Sequence, residues 1–284
     1  MNYSPKIWTG THFGEIFSEV IYSNATVDKG LVRVLDNIKY EQMVTSITGD
    51  LVVQDYAVTP TTGGGNITFG DATIRPVKKH VYEEFNMQGM LNTRFSADMK
   101  SGAANMESNE FLKAVLEYAV PRVGKAIETS YWNLLVTKLN AASDEIAVAG
   151  ATLTAANVID EMEKVYAAMP GQILEGTEAK IYAPHAVKQM IKVANLNQTY
   201  RDIFTVVGDQ ISYLGVPVEF VPLAANTIVA GRSSDLILGT DLLSDFGAFE
   251  VNKVQANSDQ MFLKATFSLD AAVCVTNQKV LYKA

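Results

Sequence analysis

The feature of this sequence that most constrains its fold is one long helical pattern over residues 108–140. Apolar residues recur there every three or four positions, which places them along one face of a helix. Ser108 is a candidate N-cap, and Pro121 removes one backbone hydrogen bond inside the pattern, so we expect a bend at that point. A helix of this length is longer than a compact domain usually needs. The pattern therefore predicts a spine against which other elements pack.

A β-hairpin is predicted between residues 51 and 84, before the spine. Residues 51–58 and 73–84 have strand-like patterns, and residues 59–71 between them contain Pro60 and three consecutive glycines. This composition is typical of a hairpin tip.

The second predicted strand carries charges on both faces, so it offers little apolar surface to a core. Its charged and apolar residues are Arg75, Val77, Lys79, Val81 and Glu83 on one face, and Lys78 and His80 on the other. Because an isolated two-stranded ribbon is only marginally stable in water, we expect the hairpin to project and to contact another subunit. The alternative is a hairpin that lies flat against its own domain.

The rest of the chain alternates helical and strand-like patterns. Helices are predicted at 154–169 and from Pro184 to about residue 194, and strands at 179–183, 213–221, 227–230, 236–238 and 267–276. This order predicts an α+β fold in which helices cover a sheet. The single cysteine, Cys274, excludes an internal disulfide and is interpreted as a small residue of the last strand.

No motif for catalysis or for a cofactor is recognisable. Gly65 and Gly70 have the spacing of a phosphate-binding loop, but Asp71 and Ala72 occupy the positions that require lysine and serine or threonine. The three histidines have no metal-binding spacing. Asp235, Asp241 and Asp245 could bind a divalent cation, although solvated loop acids explain them more simply. The sequence therefore predicts no catalytic, cofactor or metal site, and indicates a structural building block.

The charge and hydropathy of the chain exclude two further classes of protein. The formal net charge is −8, from 31 acidic and 23 basic residues, and basic residues form no long block. Tight binding of nucleic acid through phosphate neutralisation is therefore not expected, although weak contact with a polyanion is allowed. No apolar run approaches the length of a membrane span, and the amino terminus lacks a signal-peptide pattern, so we expect a cytosolic protein.

The order of these elements resembles the major capsid protein of tailed bacteriophages with the HK97 fold. Residues 213–218, Tyr-Leu-Gly-Val-Pro-Val, resemble the "LLGxPV" strand of that family, and Leu-Gly-Thr-Asp at 238–241 resembles its "FGD" segment. Residues 262–275 resemble its closing strand. The resemblance implies an N-terminal arm (1–35), an extended hairpin or E-loop region (36–90), a peripheral domain with the spine helix (91–144 and 231–284), and an axial domain (145–230).

The function that this resemblance implies is self-assembly into hexamers and pentamers of an icosahedral head that encloses double-stranded DNA. The implied partners are a portal protein and scaffolding or decoration proteins. Because Met1 leads almost directly into the arm, either a separate scaffolding protein is used or none is needed. Assembly in the host bacterial cytoplasm and a final place in the virion are implied as well. The residues expected at subunit contacts are Gly63, Gly64, Gly65, Arg75, Lys78, Lys79 and Glu83 on the hairpin, and Lys113, Glu117, Lys125 and Glu128 on the spine. The alternatives are an encapsulin-like nanocompartment shell protein and a cytosolic enzyme with an unrecognised site.

Overall fold

A computed structural model describes residues 25–56, 58, 65–86, 109–142, 144–196, 204–208, 210–241, 249–255 and 260–284. The predicted arm before residue 25, Gly63 and Gly64 of the hairpin tip, the N-cap Ser108 and the candidate ligand Asp245 lie outside these residues.

The described elements are runs of strands separated by a few helices, which is an α+β arrangement. The helices are α1 (Ala25–Asp28), α2 (Asn109–Ala142), α3 (Val158–Ala168), α4 (Gly171–Leu174) and α5 (His185–Asn195). The strands are β1 (Arg33–Leu35), β2 (Gln42–Asp50), β3 (Asn66–Ile74), β4 (Val77–Asn86), β5 (Ile146–Ala149), β6 (Ala179–Pro184), β7 (Phe204–Val207), β8 (Gln210–Tyr213), β9 (Val216–Val221), β10 (Thr227–Arg232), β11 (Leu236–Gly239), β12 (Phe249–Lys253), β13 (Gln260–Val273) and β14 (Val280–Lys283).

A five-stranded sheet is built around β13. Strand β4 pairs with one edge of β13 over ten residues, while β12 and β11 share the other edge and β1 lies beside β11. The predicted closing strand is therefore confirmed, but it runs from Gln260 to Val273 and not from 267 to 276, so Cys274 lies just after it. Alternate residues from Met261 to Leu269 are buried, which is the burial expected of a strand with one face on a core.

A seven-stranded sheet has the order β5-β14-β10-β6-β9-β8-β7. This sheet includes β14 near the carboxyl terminus, which pairs with β10 and β5. The resemblance implies instead that residues 231–284 belong to the peripheral domain. The single strand predicted over residues 213–221 is wrong. The chain turns at Leu214 and Gly215, which both have positive φ angles of 48° and 88°, and β8 and β9 form an antiparallel pair on either side of this turn.

The spine helix α2 is confirmed, with 34 residues and with Pro121 inside it. At 1.5 Å per residue it is about 50 Å long. The spine packs in one core with both sheets. In the seven-stranded sheet, alternate residues of each strand point to opposite faces of the sheet. Tyr182, Val229 and Leu281 face the spine, and their neighbours in sequence face α3 and α5.

The predicted hairpin exists, but its strands are wrong. The paired strands are β2 and β3, with nine residue pairs from Gln42↔Ile74 to Asp50↔Asn66. Residues 51–56 form no strand, and the pairing ends at Asp50↔Asn66. Residues 73–84 divide at Pro76, whose nitrogen carries no hydrogen to donate, and the residues after it belong to β4.

Helix α1 and the residues just after it hold the amino-terminal part of the described chain against the spine. Thr26 is fully buried, and its backbone and side chain both donate to the Glu128 carboxylate of α2. The Thr26 hydroxyl oxygen also accepts from Trp132 Nε1 at 3.0 Å. Further along, the Tyr182 hydroxyl of β6 donates to the Leu31 carbonyl at 2.7 Å. The contact therefore joins the amino-terminal segment, the spine and the seven-stranded sheet.

Replacing Thr26 with valine should lower the free energy of unfolding by about 1–3 kcal/mol, because the buried Trp132 Nε1–H loses its acceptor while the side-chain shape is kept. The measurement is the urea midpoint of the unassembled chain at an unchanged slope. The control is Thr129→Val on the same helix, which removes an exposed hydroxyl that donates to the Lys125 carbonyl and should cost at most about 0.5 kcal/mol. Equal effects of the two substitutions would contradict the role of Thr26.

Candidate subunit interface

The hairpin formed by β2 and β3 presents an apolar face to solvent. Met43, Ile47, Ile67 and Phe69 lie on this outer face, with exposed fractions of 59%, 68%, 55% and 68%. Ile47 and Phe69 are direct cross-strand partners. The segment after β2 adds exposed apolar residues, namely Leu51, Val52, Val53, Tyr56 and Val58.

Such a surface is unusual for a chain that stays alone in water. Scattered exposed apolar residues are normal, but a contiguous patch on a two-stranded ribbon marks an interaction surface. Fully burying an isoleucine or phenylalanine side chain is worth about 1.5–3 kcal/mol. Burial of the several apolar side chains on the outer face can therefore contribute several kcal/mol to the free energy of a contact with another molecule, at about 1.5–3 kcal/mol for each side chain that is fully buried.

The inner face of the hairpin is different, since it carries small and polar side chains. Ser46, Thr48, Gly70 and Ala72 line one wall of a groove of about 700 Å³. The opposite wall comes from the end of the spine and from residues 272–277. The hairpin thus stands away from its own domain beyond its root.

The root of the hairpin is anchored by a small apolar cluster. Ile74 is fully buried and packs with Ile38, Ile237 and Ala272, where β1, β11 and β13 meet the hairpin. Gly239 permits this packing, because a Cβ atom there would overlap Cγ2 of Ile74. The root is therefore fixed, while the outer face beyond it is exposed.

Replacing Gly239 with alanine should force Ile74 to shift in a closely packed site, at a cost of about 1–3 kcal/mol. We expect lower thermal stability and faster amide hydrogen exchange in β2 and β3. The control is Gly171→Ala in α4, where an added Cβ meets nothing within 4 Å. If the two variants have the same melting temperature, the packing of Ile74 against Gly239 does not hold the hairpin root.

Three of the sequence-predicted contact residues are engaged within their own subunit. Lys79 Nζ donates to Ser130 Oγ on the spine at 2.6 Å, and Glu128 accepts from Thr26. The Arg75 guanidinium donates to the Tyr40 hydroxyl at 2.9 Å and lies over the Tyr40 ring. The expectation that the strand after residue 75 buries little was wrong for the face of β4 that contacts the spine, where Val81 and Phe85 pack against the core.

The other predicted contact residues remain available on the surface. Lys78 and Glu83 are exposed on β4, Gly65 is exposed at the start of β3, and Lys125 is exposed on the spine. Lys113 Nζ lies 3.9 Å from Glu117, and both side chains are largely exposed. Whether any of these residues contacts another subunit stays a prediction.

Sequence reasoning missed the apolar outer face because the strands were placed too far along the chain. Ile67 and Phe69 do alternate with Asn66, Thr68 and Gly70, so a period of two was visible there. The glycines that flank this segment had instead been assigned to the hairpin tip.

The described residues contain no group of three or more histidine, cysteine or acidic side chains that could hold a metal ion. Asp235, one of the three candidate ligands, is instead paired with Lys279, whose Nζ lies 2.5 Å from Oδ2. Burial raises the pKa of the Cys274 thiol, and the nearby Asp235 carboxylate raises it further, which disfavours a reactive thiolate.

A second cavity, of about 320 Å³, lies between the start of α5 and strands β7 to β9. Its lining charges have partners, since Lys29 Nζ lies 3.3 Å from Glu219 and Lys188 Nζ lies 5.7 Å from the centre of the Phe220 ring. Burial lowers the pKa of His185 at its edge, which favours the neutral imidazole.

No helix among the described residues is long and apolar enough to cross a membrane.

The fold matches those of solved capsid structures, which confirms the α+β capsid-like fold class that the sequence resemblance implied. The capsid of the native GTA particle matches with a TM-score of 0.56 and 10% sequence identity, over 100% of this chain and 95% of that chain. Mycobacterium phage Che8 matches with a TM-score of 0.51 and 11% identity, over 99% and 97% of the two chains. The virus-like particle from Pyrococcus furiosus matches with a TM-score of 0.54 and 7% identity, over 95% and 97%. No protein-family model and no curated protein sequence matches the chain.

Proposed function

We propose that this chain is the major capsid protein of a tailed double-stranded DNA bacteriophage, with a structural and not a catalytic role. The observation that carries the proposal is the exposed apolar outer face of the hairpin on a fold shared with capsid subunits. An exposed apolar face of this kind marks a surface that another molecule covers. In a closed shell of identical subunits, a second copy of the chain covers it.

The proposed assembly uses two regions of the subunit. Residues 145–230, the proposed axial domain, surround the symmetry axes of hexamers and pentamers. The hairpin of each subunit lies over the spine of a neighbour, where the exposed Lys113, Glu117 and Lys125 and the surface charges of β4 are candidate contacts. Closed symmetry of this kind leaves no ribbon edge exposed.

The proposed partners beyond the chain itself are a portal protein, separate scaffolding or decoration proteins, and the packaged DNA. With a net charge of −8, the subunit would touch the genome only weakly and non-specifically. The proposed location is the virion, after assembly in the bacterial cytoplasm.

The experiment is electron microscopy and light scattering of the purified full-length chain, alone and co-expressed with its neighbouring genes. We expect closed icosahedral shells or isolated hexamers and pentamers. A chain that stays monomeric or dimeric at high concentration under all of these conditions would exclude the proposal.

A second, less favoured candidate is the shell protein of an encapsulin-like nanocompartment, because the fold is also shared with a virus-like particle. The contents of the purified particles distinguish the two candidates. Packaged double-stranded DNA supports the phage capsid, whereas a co-purifying cargo enzyme without DNA supports the nanocompartment.

A further inference from the structure

A single carboxylate, Asp270, lies where the hairpin, the spine and the central strand β13 meet. It is only 5% exposed although it is charged. Its Oδ2 accepts from the backbone N–H of Arg75 at 2.6 Å, and its Oδ1 accepts from the N–H of Ala271 at 2.8 Å. Lys138 Nζ, near the end of α2, lies 2.8 Å from both oxygens. Every oxygen of this buried group is therefore bonded.

The position of Asp270 coincides with a break in the ladder between β4 and β13. The last pair of this ladder is Val77↔Leu269, and Pro76 has no N–H with which to extend it. The N–H of Arg75 would then lack an acceptor in the sheet, and an unpaired buried N–H is costly. The Asp270 side chain supplies the acceptor and so fixes the chain at the bend between β3 and β4.

We infer that Asp270 is a positioning residue that sets the direction of the hairpin relative to the spine. Lys138 couples the two elements, because it reaches the same carboxylate from the last turns of α2. The apolar cluster around Ile74 fixes the position of the hairpin root, and the hydrogen bonds to Asp270 fix the angle between the hairpin and the spine. The role of Asp270 within the subunit does not depend on the proposed function. Its consequence for assembly does, since the angle between hairpin and spine would determine where the outer face meets a neighbouring subunit.

The test compares Asp270→Asn with the wild-type full-length chain by hydrogen exchange and mass spectrometry. Asparagine keeps the shape but presents an NH₂ group to at least one of the three donors, so the root should open more often. We expect exchange in residues 42–50 and 66–75 to accelerate about tenfold, with residues 260–268 unchanged. The matched control is Asp235→Asn, which weakens another buried pair with lysine and should accelerate exchange near residues 231–239 and 276–283 only.

A second variant, Lys138→Gln, keeps both backbone bonds to Asp270 and serves if Asp270→Asn does not fold. It should accelerate exchange in the hairpin by a smaller factor. Unchanged hairpin exchange in the folded variants would overturn the inference, as would equal acceleration across the spine and both sheets.

The same variants should form fewer or irregular particles where the wild type forms closed shells. If the wild-type chain itself forms no shells, the proposed function fails. The exchange comparison still decides the role of Asp270 in that case.

Discussion

Replacing Ile47 and Phe69 together with serine should leave a folded subunit that cannot close the proposed shell. The two side chains are cross-strand partners on the outer face, and each is 68% exposed in the isolated subunit. Removing them costs the subunit little, because they contact few of its own atoms. It removes about 2–4 kcal/mol from each contact that buries them, which weakens that contact by about 30- to 700-fold.

The matched control for this prediction is Thr48→Ala with Thr68→Ala. This pair is adjacent in the same ladder but lies on the inner face, toward the groove. Both double variants should give the circular dichroism spectrum and melting temperature of the wild type. Only the outer-face variant should lose particles in sedimentation and electron microscopy. Normal shells from the outer-face variant, or failure of the inner-face variant, would show that the apolar face is not the subunit contact.

The elements that could be predicted are those whose patterns are long and local. The spine is specified by its own apolar spacing over many turns, so its bounds were predicted to within two residues. The tail strand was recognised from its alternation, but it lies at 260–273 and not at 267–276. The strands of the hairpin were placed wrongly, because β2 and β3 contain polar and apolar residues on one exposed face and have no strong pattern of burial.

The root of the hairpin could not be predicted, because its parts come from distant segments. Arg75, Lys138 and Asp270 are far apart in sequence, and only the order of strands around β13 brings them together. One signal was present, since an aspartate in an otherwise apolar closing strand needs a partner when it is buried. The sequence did not indicate which partner. For the same reason Glu128 was interpreted as a surface charge, although it holds Thr26.

The buried pair of Lys279 and Asp235 gives the largest expected effect on the stability of the subunit. Lys279 is fully buried, whereas the Asp235 side chain is 14% exposed. Replacing Asp235 with alanine leaves a buried ammonium without its partner and should cost about 3–5 kcal/mol. Lys279→Met removes the charge, keeps an unbranched chain over Gly231 and leaves the more exposed carboxylate, so it should cost about 1 kcal/mol.

The pH dependence of Asp235→Ala separates this explanation from a simple loss of packing. Burial lowers the pKa of Lys279 in the folded protein, although the hydrogen bond to Asp235 opposes the shift. The unfolded chain therefore binds the proton more tightly, and stability rises with pH between the folded and the unfolded pKa values. Without Asp235 the pKa of Lys279 in the folded protein falls further, so the pH range over which stability rises extends to lower pH. The loss in urea unfolding free energy should then be smaller at about pH 10 than at about pH 7, whereas Lys279→Met should show no such recovery. An Asp235→Ala loss that is independent of pH would mean that the buried charge is not its cause.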